Sequence, residues 1–148
     1  MNEPDVELVI GSEPWHRACS MYVRYRVFVM EKSIAREDEF DQYDEVGGAY
    51  ANLLVHSEPV STGRFLLTES GTARLTRIAT LAPHRGKGYA REIIQKLEEY
   101  AKNTNVLCIN IHFELTAKPF YEMLGYQPTS EIYLEDGEWC KTLTKNLR

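Results

Sequence analysis

The stretch Leu81-Ala82-Pro83-His84-Arg85-Gly86-Lys87-Gly88-Tyr89-Ala90 decides how this chain is read. It contains Arg-x-x-Gly-x-Ala, from Arg85 through Gly88 to Ala90. A strand pattern over Thr72–Leu81 runs into it. A helical pattern over Gly88–Lys102 leaves it, with Tyr89, Ala90, Ile93, Ile94, Leu97, Tyr100 and Ala101 along one side. Glycines let a backbone approach a ligand closely. The first helical turn has N–H groups without intrahelical partners and a dipole that favours anions. Arg85 and Lys87 add positive charge at the same place. The plainer alternative is a two-glycine loop before a helix. Strand before, helix after and flanking cations favour a diphosphate site, and so an enzyme with a nucleotide-like cofactor.

Outward from that loop, Tyr50–His56, Gly63–Thr68 and Thr72–Leu81 read as consecutive strands. Turns fall at Ser57-Glu58-Pro59 and Glu69-Ser70-Gly71. Val6–Ile10 reads as a first strand. Pro14 suits the start of a helix whose face carries Trp15, Ala18, Tyr22, Tyr25 and Val29. Ile34 through Glu45 is acidic and reads as a loop or short helix. Val106–Phe113 is a strand, followed by a short helix capped by Thr116 and stopped at Gly125. Glu131–Leu134 and Trp139–Leu143 read as a hairpin around Glu135-Asp136-Gly137. The crossover helix between Leu81 and Val106 predicts two parallel strands in a mixed sheet. The fold class is therefore α/β (α+β), a mixed central sheet flanked by helices, in one domain over residues 1–148.

Composition bounds the function. The chain has 148 residues, 43% apolar and 26% charged, with a net charge of −5. That is ordinary for a globular domain and argues against a nucleic-acid partner, since no basic stripe stands out. No apolar run approaches the ~20 residues that span a membrane. Met1-Asn2-Glu3-Pro4-Asp5 is acidic and unlike a secretory signal. Cys19, Cys108 and Cys140 are widely spaced and odd in number, which points to reduced thiols in a cytoplasmic protein and to no metal site.

Two stretches carry a family resemblance. Arg85, Gly88 and Ala90 meet the Arg/Gln-x-x-Gly-x-Gly/Ala motif of the GNAT superfamily of acyl-CoA-dependent N-acetyltransferases, after the strand residues Arg77-Ile78-Ala79-Thr80-Leu81. Ala117-Lys118-Pro119-Phe120-Tyr121-Glu122-Met123-Leu124-Gly125-Tyr126 resembles that family's Ala-x-x-Phe-Tyr-Glu-x-Leu-Gly-Phe segment. Arg24-Tyr25-Arg26-Val27-Phe28-Val29-Met30-Glu31, Glu37-Asp38-Glu39-Phe40-Asp41 and Leu134-Glu135-Asp136-Gly137 resemble segments of a small bacterial subgroup of mostly unassigned substrate. That subgroup usually has Ala-Gln where this chain has Phe113-Glu114, and often a His near the position of Cys140.

The resemblance implies acetyl-CoA as cosubstrate and no metal. It implies that the pyrophosphate lies on the backbone amides of Arg85, Gly86, Lys87, Gly88, Tyr89 and Ala90. The pantetheine arm would pair with Ile78, Ala79 and Thr80. The acetyl group would enter a gap where two parallel strands splay apart, and a backbone N–H near Ile78 or Ala79 would meet the oxyanion. Tyr121 matches the tyrosine that protonates the leaving thiolate in many members; its plainer alternative is a packed core aromatic. The acceptor would be the primary amine of a small molecule, attacking directly in a ternary complex.

Many members take the amine proton with a glutamate on the strand before the loop, and Thr72–Leu81 holds no carboxylate. On the next strand Leu107, Ile109, Ile111 and Phe113 share one face, and Cys108, Asn110, His112 and Glu114 share the other. A covered central strand is expected to be apolar on both faces. Glu114, or a water held by Glu114 and His112, is the candidate base; satisfied polar groups at a strand end are the equal alternative. Glu37, Asp38, Glu39, Asp41, Asp44 and Glu45 would attract a cationic amine if they border the acceptor pocket, or form a solvated acidic loop if they do not. Arg17, Arg24 and Arg26 would equally suit a phosphorylated or carboxylated acceptor. His16, His56 and His84 read as surface or structural residues, and Trp15 and Trp139 as core or pocket-wall aromatics. Exposed strands of the final hairpin could pair across a homodimer. The missing strand carboxylate leaves a second class open, a catalytically inactive acetyl-CoA sensor or interaction module.

Overall fold

The order β-strand, glycine loop, helix, parallel strand is the centre of the structure. The computed structural model describes residues 5–45, 48–69, 71–114, 117–135 and 138–147. Strand β4 (Thr72–Thr80) leads through Ala82–His84 and the glycine loop into α3 (Tyr89–Asn103), which returns the chain to β5 (Cys108–Glu114). Before them come β1 (Val6–Gly11), α1 (Pro14–Arg24), a π-helical segment (Tyr25–Glu31), α2 (Arg36–Glu39), a 3-10 turn (Gln42–Asp44), β2 (Ala49–Val55) and β3 (Glu58–Glu69). After them come α4 (Lys118–Met123), β6 (Gln127–Pro128), β7 (Tyr133–Glu135) and β8 (Glu138–Asn146). The strands form one mixed sheet in the order β1-β2-β3-β4-β5-β8-β6, with β7 also on β8. No helix among the described residues is long and apolar enough to cross a membrane.

The predicted parallel pair is β4 with β5, and its ladder is short. It runs from Thr72 opposite Cys108 to Leu75 opposite Ile111 and ends there. Beyond that point β4 stays on β3 while β5 stays on β8, so the two strands part. Thr62 pairs with Ala79 and Arg64 with Thr76, so Arg77 and Ile78 together face Gly63, a β-bulge on β4.

The two faces of the sheet differ in chemistry. On one, Ile93, Ile94, Leu97 and Ala101 of α3 are fully buried. A Cβ at Gly63 would lie 2.8 Å from both Ile93 and Leu97 side chains, so the close approach of α3 requires glycine there. On the other face, Asn52 of β2 donates to the His16 carbonyl of α1 at 2.9 Å and Thr62 donates to Asn52 at 2.8 Å. α1 therefore covers a polar surface. It buries His16, Ser20, Val23 and Arg24. The predicted face is the outer one: Trp15 is 48% exposed, with Ala18, Tyr22 and Tyr25 also in solvent. The helix was legible and its orientation was not.

Other boundaries shift for local reasons. The turn before β3 is His56-Ser57, both at positive φ (50° and 69°), the backbone of a two-residue hairpin turn, and Glu58-Pro59 already belongs to the strand. β5 starts at Cys108, with Ile109 and Ile111 in the core and Leu107 exposed before it. The predicted Thr116 cap, the Asp136-Gly137 turn and the side chains of Phe113, Glu114 and Trp139 lie outside the described residues.

Candidate active site

The parting of β4 from β5 opens two adjoining clefts. One, of about 450 Å³, lies between α2, the π-helical segment and the split, and is lined by Ile34, Asp38, Glu39, Arg77, Ile111 and His112 among others. The other, of about 320 Å³, runs along Ile78, Ala79 and Thr80 towards Arg85 and Ala90. Phe28, Lys32, Ile78 and Tyr121 line both. The stretch of β4 predicted to hold an extended arm thus borders open space on the side where β5 has left it.

The second cleft ends at the glycine loop. Gly86 and Gly88 have φ of +79° and +81°, which only glycine adopts without strain, and an added Cβ on either would meet nothing within 4 Å. Gly88 is the N-cap of α3, a 15-residue helix. Its left-handed backbone turns the chain so that the first amides of α3 have no preceding helical turn. Lys87 is exposed on this loop. Tyr89 packs beside the His84 ring, 6.4 Å between centroids, and not into the cleft lining. Arg85 is already engaged: its two terminal nitrogens donate to the Glu31 carboxylate at 2.7 Å each, and its Nε donates to the Thr80 carbonyl at 2.9 Å. This ion pair holds Glu31 below the usual carboxylate range and Arg85 above its ordinary value.

Tyr121, on α4, is buried at the junction of the clefts. Phe120 and Tyr126 stand edge-on to its ring at 5.1 and 6.2 Å. Burial pushes its phenol up to about 12, so it stays protonated at neutral pH. Tyr121 is therefore both packed and cleft-lining, and the two sequence alternatives for it are compatible. His112 lines the first cleft, with Tyr133 edge-on at 5.8 Å. Asn110 instead accepts from Thr144 at 2.8 Å. Glu114 sits opposite Cys140 in the β5–β8 ladder, and its side chain lies outside the described residues. None of Cys19, Cys108 and Cys140 lines either cleft.

The acidic segment is not a free anionic surface. Arg24, fully buried, pairs with Glu39 at 3.0 Å and with Asp44 at 2.8 Å. Arg64, also buried, pairs with Asp41 at 2.8 Å and Asp44 at 3.1 Å. Arg77 pairs with Glu39 at 2.9 Å and Asp41 at 3.1 Å. Tyr50 donates to Asp44 at 2.8 Å, and burial with that carboxylate raises its phenol to about 12. These contacts hold Asp44 well below the usual range despite its burial, because two guanidiniums face it. Three of the six acids are thus spent inside the protein, and Arg24 serves that network and no acceptor. Asp38 lines the first cleft and is exposed at its rim. Arg26 pairs with Glu58 on the surface at 3.2 Å.

Phe28, Lys32 and Arg77 line the clefts without having been singled out as site residues in the sequence; Phe28 and Arg77 lie inside quoted segments, but nothing there marks a cleft wall. Asp38 is a member of the acid run that does border a cleft.

A mixed sheet split after a short parallel ladder, with a glycine-loop helix start on one side and a buried tyrosine at the junction, is the framework of an acetyltransferase. A family model described as an acetyltransferase (GNAT) domain matches residues 23–147, and the chain belongs to that family. An uncharacterized acetyltransferase of Streptococcus pyogenes is 46% identical over 110 residues, covering 74% of this chain and 75% of the relative. An uncharacterized protein of Bacillus subtilis, YyaT, is 35% identical over 130 residues, covering 86% and 87%. A crystal structure described as a candidate N-acetyltransferase from Lactobacillus plantarum superposes with a TM-score of 0.92 at 33% identity, over 97% of this chain and 99% of that one.

Proposed function

We propose that this protein moves an acetyl group from acetyl-CoA to the primary amine of a small molecule, by direct attack in a ternary complex. The observation that carries the reading is the pair of clefts meeting at Tyr121 where β4 leaves β5. Acetyl-CoA supplies an activated thioester; the remaining tasks fall to this chain. The free edge of Ile78–Thr80 suits an extended amide-bearing arm, which would add as a strand does. The Gly86–Gly88 loop and the first amides of α3 suit the pyrophosphate, with Lys87 beside them. The bulge at Arg77–Ile78 interrupts the β3 ladder beside the cleft, and N–H groups released from the ladder there would serve a developing oxyanion. The Tyr121 O–H is kept neutral and so remains a donor to a departing thiolate. The first cleft takes the amine: Phe28, Ile34 and Ile111 favour an apolar body, and Asp38 at the rim favours a cation. Glu114 and His112 remain the candidates for receiving the amine proton. Direct attack is favoured because no cysteine lines either cleft.

The test has two stages. In thermal unfolding, acetyl-CoA at about 100 times its Kd stabilises by about 2.7 kcal/mol, a rise of roughly 5–10 °C for a domain of this size, and ATP at the same concentration gives no such rise. CoA release is then followed across a panel of small amines. No rise with acetyl-CoA refutes the cofactor assignment. A rise with no turnover on any amine favours an acetyl-CoA sensor over an enzyme.

A further inference from the structure

Arg77 is a non-glycine residue inside a strand with its backbone in the left-handed region, φ +56°. Such a conformation is unfavourable for a residue with a Cβ and persists only where its surroundings impose it. Arg77 sits two residues past Leu75, the last parallel partner of β5, and is the first residue of the bulge. Its side chain is held from one direction. Nε meets the Glu39 carboxylate at 2.9 Å, Nη2 donates to the Glu39 carbonyl at 3.1 Å, and Nη2 donates to Asp41 at 3.1 Å. Glu39 and Asp41 cannot yield, because each is also bound to a buried arginine, Glu39 to Arg24 and Asp41 to Arg64.

We infer that Arg77 is a positioning residue: the strap carrying Glu39 and Asp41 locks its left-handed backbone and thereby fixes the direction of the N–H groups of the bulge beside the cleft. This rests on the reading above, in which those groups receive the oxyanion. A left-handed residue rotates the peptide that follows it away from the regular ladder, so the Ile78 N–H takes its direction from the Arg77 backbone. Without the lock, Arg77 would relax towards ordinary β angles and turn that N–H back towards β3. The acidic segment, which the sequence suggests as an attractant for substrate, acts here as an internal fixture of the β4 backbone. The planar guanidinium suits the task, since one fork reaches a carboxylate, a carbonyl and a second carboxylate.

The test compares Arg77→Gly, Arg77→Lys and wild type. Glycine adopts φ +56° without strain but cannot be held, and lysine keeps the charge but not the fork. Two readouts are taken: hydrogen–deuterium exchange of the Arg77 and Ile78 amides, which needs no turnover, and kcat and KM on an amine accepted by the wild type. The expected result for both variants is at least tenfold slower exchange of the Ile78 amide, which regains a partner on β3, and at least tenfold lower kcat, with KM for acetyl-CoA within threefold of wild type. A structural role alone would lower Tm and leave kcat per folded molecule unchanged. Unchanged or faster exchange overturns the proposal, and so does slower exchange with an unchanged kcat. If the wild type binds acetyl-CoA and acetylates no amine, the enzymatic reading fails separately, and the exchange rates still decide whether Arg77 holds the bulge.

Discussion

Replacing Asp44 by Asn removes one charge from the buried network and changes almost no volume. Asp44 accepts from Arg24 Nη1 at 2.8 Å and Nη2 at 2.9 Å, from Tyr50 at 2.8 Å and from Arg64 at 3.1 Å. An Asn there keeps one acceptor oxygen and turns an NH2 group towards guanidinium donors. Arg24 and Arg64 are left inside the protein with two carboxylates between them, Glu39 and Asp41, both shared with Arg77. Breaking a buried ion pair from one side costs about 3–5 kcal/mol, and the surviving carboxylates place this case near 3. At roughly 2–4 °C per kcal/mol, Tm falls by about 6–12 °C. Denaturant and thermal unfolding at pH 7 measure it, with Asp38→Asn at the exposed rim of the cleft as a control expected within about 0.5 kcal/mol of wild type. The pH dependence carries a second check. Asp44 has a folded pKa depressed below its unfolded value, so its contribution is complete above the unfolded pKa of about 3.9 and is lost as pH falls through the folded one. The gap between wild type and Asp44→Asn is therefore constant from pH 7 to about 5 and narrows only below about pH 4. A loss under about 1 kcal/mol, or a gap that closes near neutrality, refutes the assignment of Asp44 as the anionic centre of the network.

Two further outcomes concern the clefts directly. Tyr121→Phe keeps the ring between Phe120 and Tyr126 and removes only the O–H, so kcat falls about 100-fold while the acetyl-CoA thermal shift is retained; with the phenol raised to about 12, wild-type kcat shows no loss from Tyr121 between pH 7 and 10, and a kcat within threefold of wild type for the variant removes it from the mechanism. Glu31→Gln releases Arg85 from its carboxylate partner and loosens the loop against the π-helical segment, so KM for acetyl-CoA rises several-fold with kcat nearly unchanged and, since the pair is exposed, little change in Tm; steady-state kinetics with varied acetyl-CoA decide it, and an unchanged KM sinks the idea.

The parts of the fold that were legible in sequence are those whose cause is local. The loop Arg85–Ala90 was readable because two left-handed turns demand glycine and an amphipathic helix begins at once behind it. The crossover from β4 to β5 followed from strand, helix and strand in sequence. The orientation of α1 was not readable, because the rule that apolar residues face inward failed there. The sheet beneath α1 presents Asn52, Thr62 and Arg64, so Ser20 and Arg24 are the interior residues and Trp15 and Tyr22 the exterior ones. The acid run left two alternatives, an amine attractant or a solvated loop, and its internal pairing was legible in neither. Its partners Arg64 and Arg77 stand on β3 and β4, 20 and 38 residues away from Asp44 and Glu39, and pairing at that distance leaves no periodicity in the sequence. Nor does any pattern mark Arg77, since the left-handed backbone there is imposed by contacts and not chosen by residue type.

The segment Tyr25–Glu31 links these observations. A π-helical turn is wider than an α-helical one, is rare, and is frequently found at functional sites. Here it is fixed at both ends by charge. Arg24, just before it, is anchored in the buried network through Glu39 and Asp44; Glu31, its last residue, is anchored to Arg85 on the glycine loop. Between the anchors, Val27 enters the core and Phe28 lines both clefts. The same network that fixes the segment through Arg24 also fixes the β4 bulge through Arg77. The wall of the clefts and the bulge are therefore referenced to the buried network, and the glycine loop to the same segment through the separate Arg85–Glu31 pair. The two ends differ in what they tolerate: the Arg24 end is buried and its loss is expected to lower stability, whereas the Glu31 end is exposed and its loss is expected to leave stability nearly unchanged. That contrast follows from burial alone, and it separates the residues of one short motif into a folding anchor, a cleft wall and a loop tether.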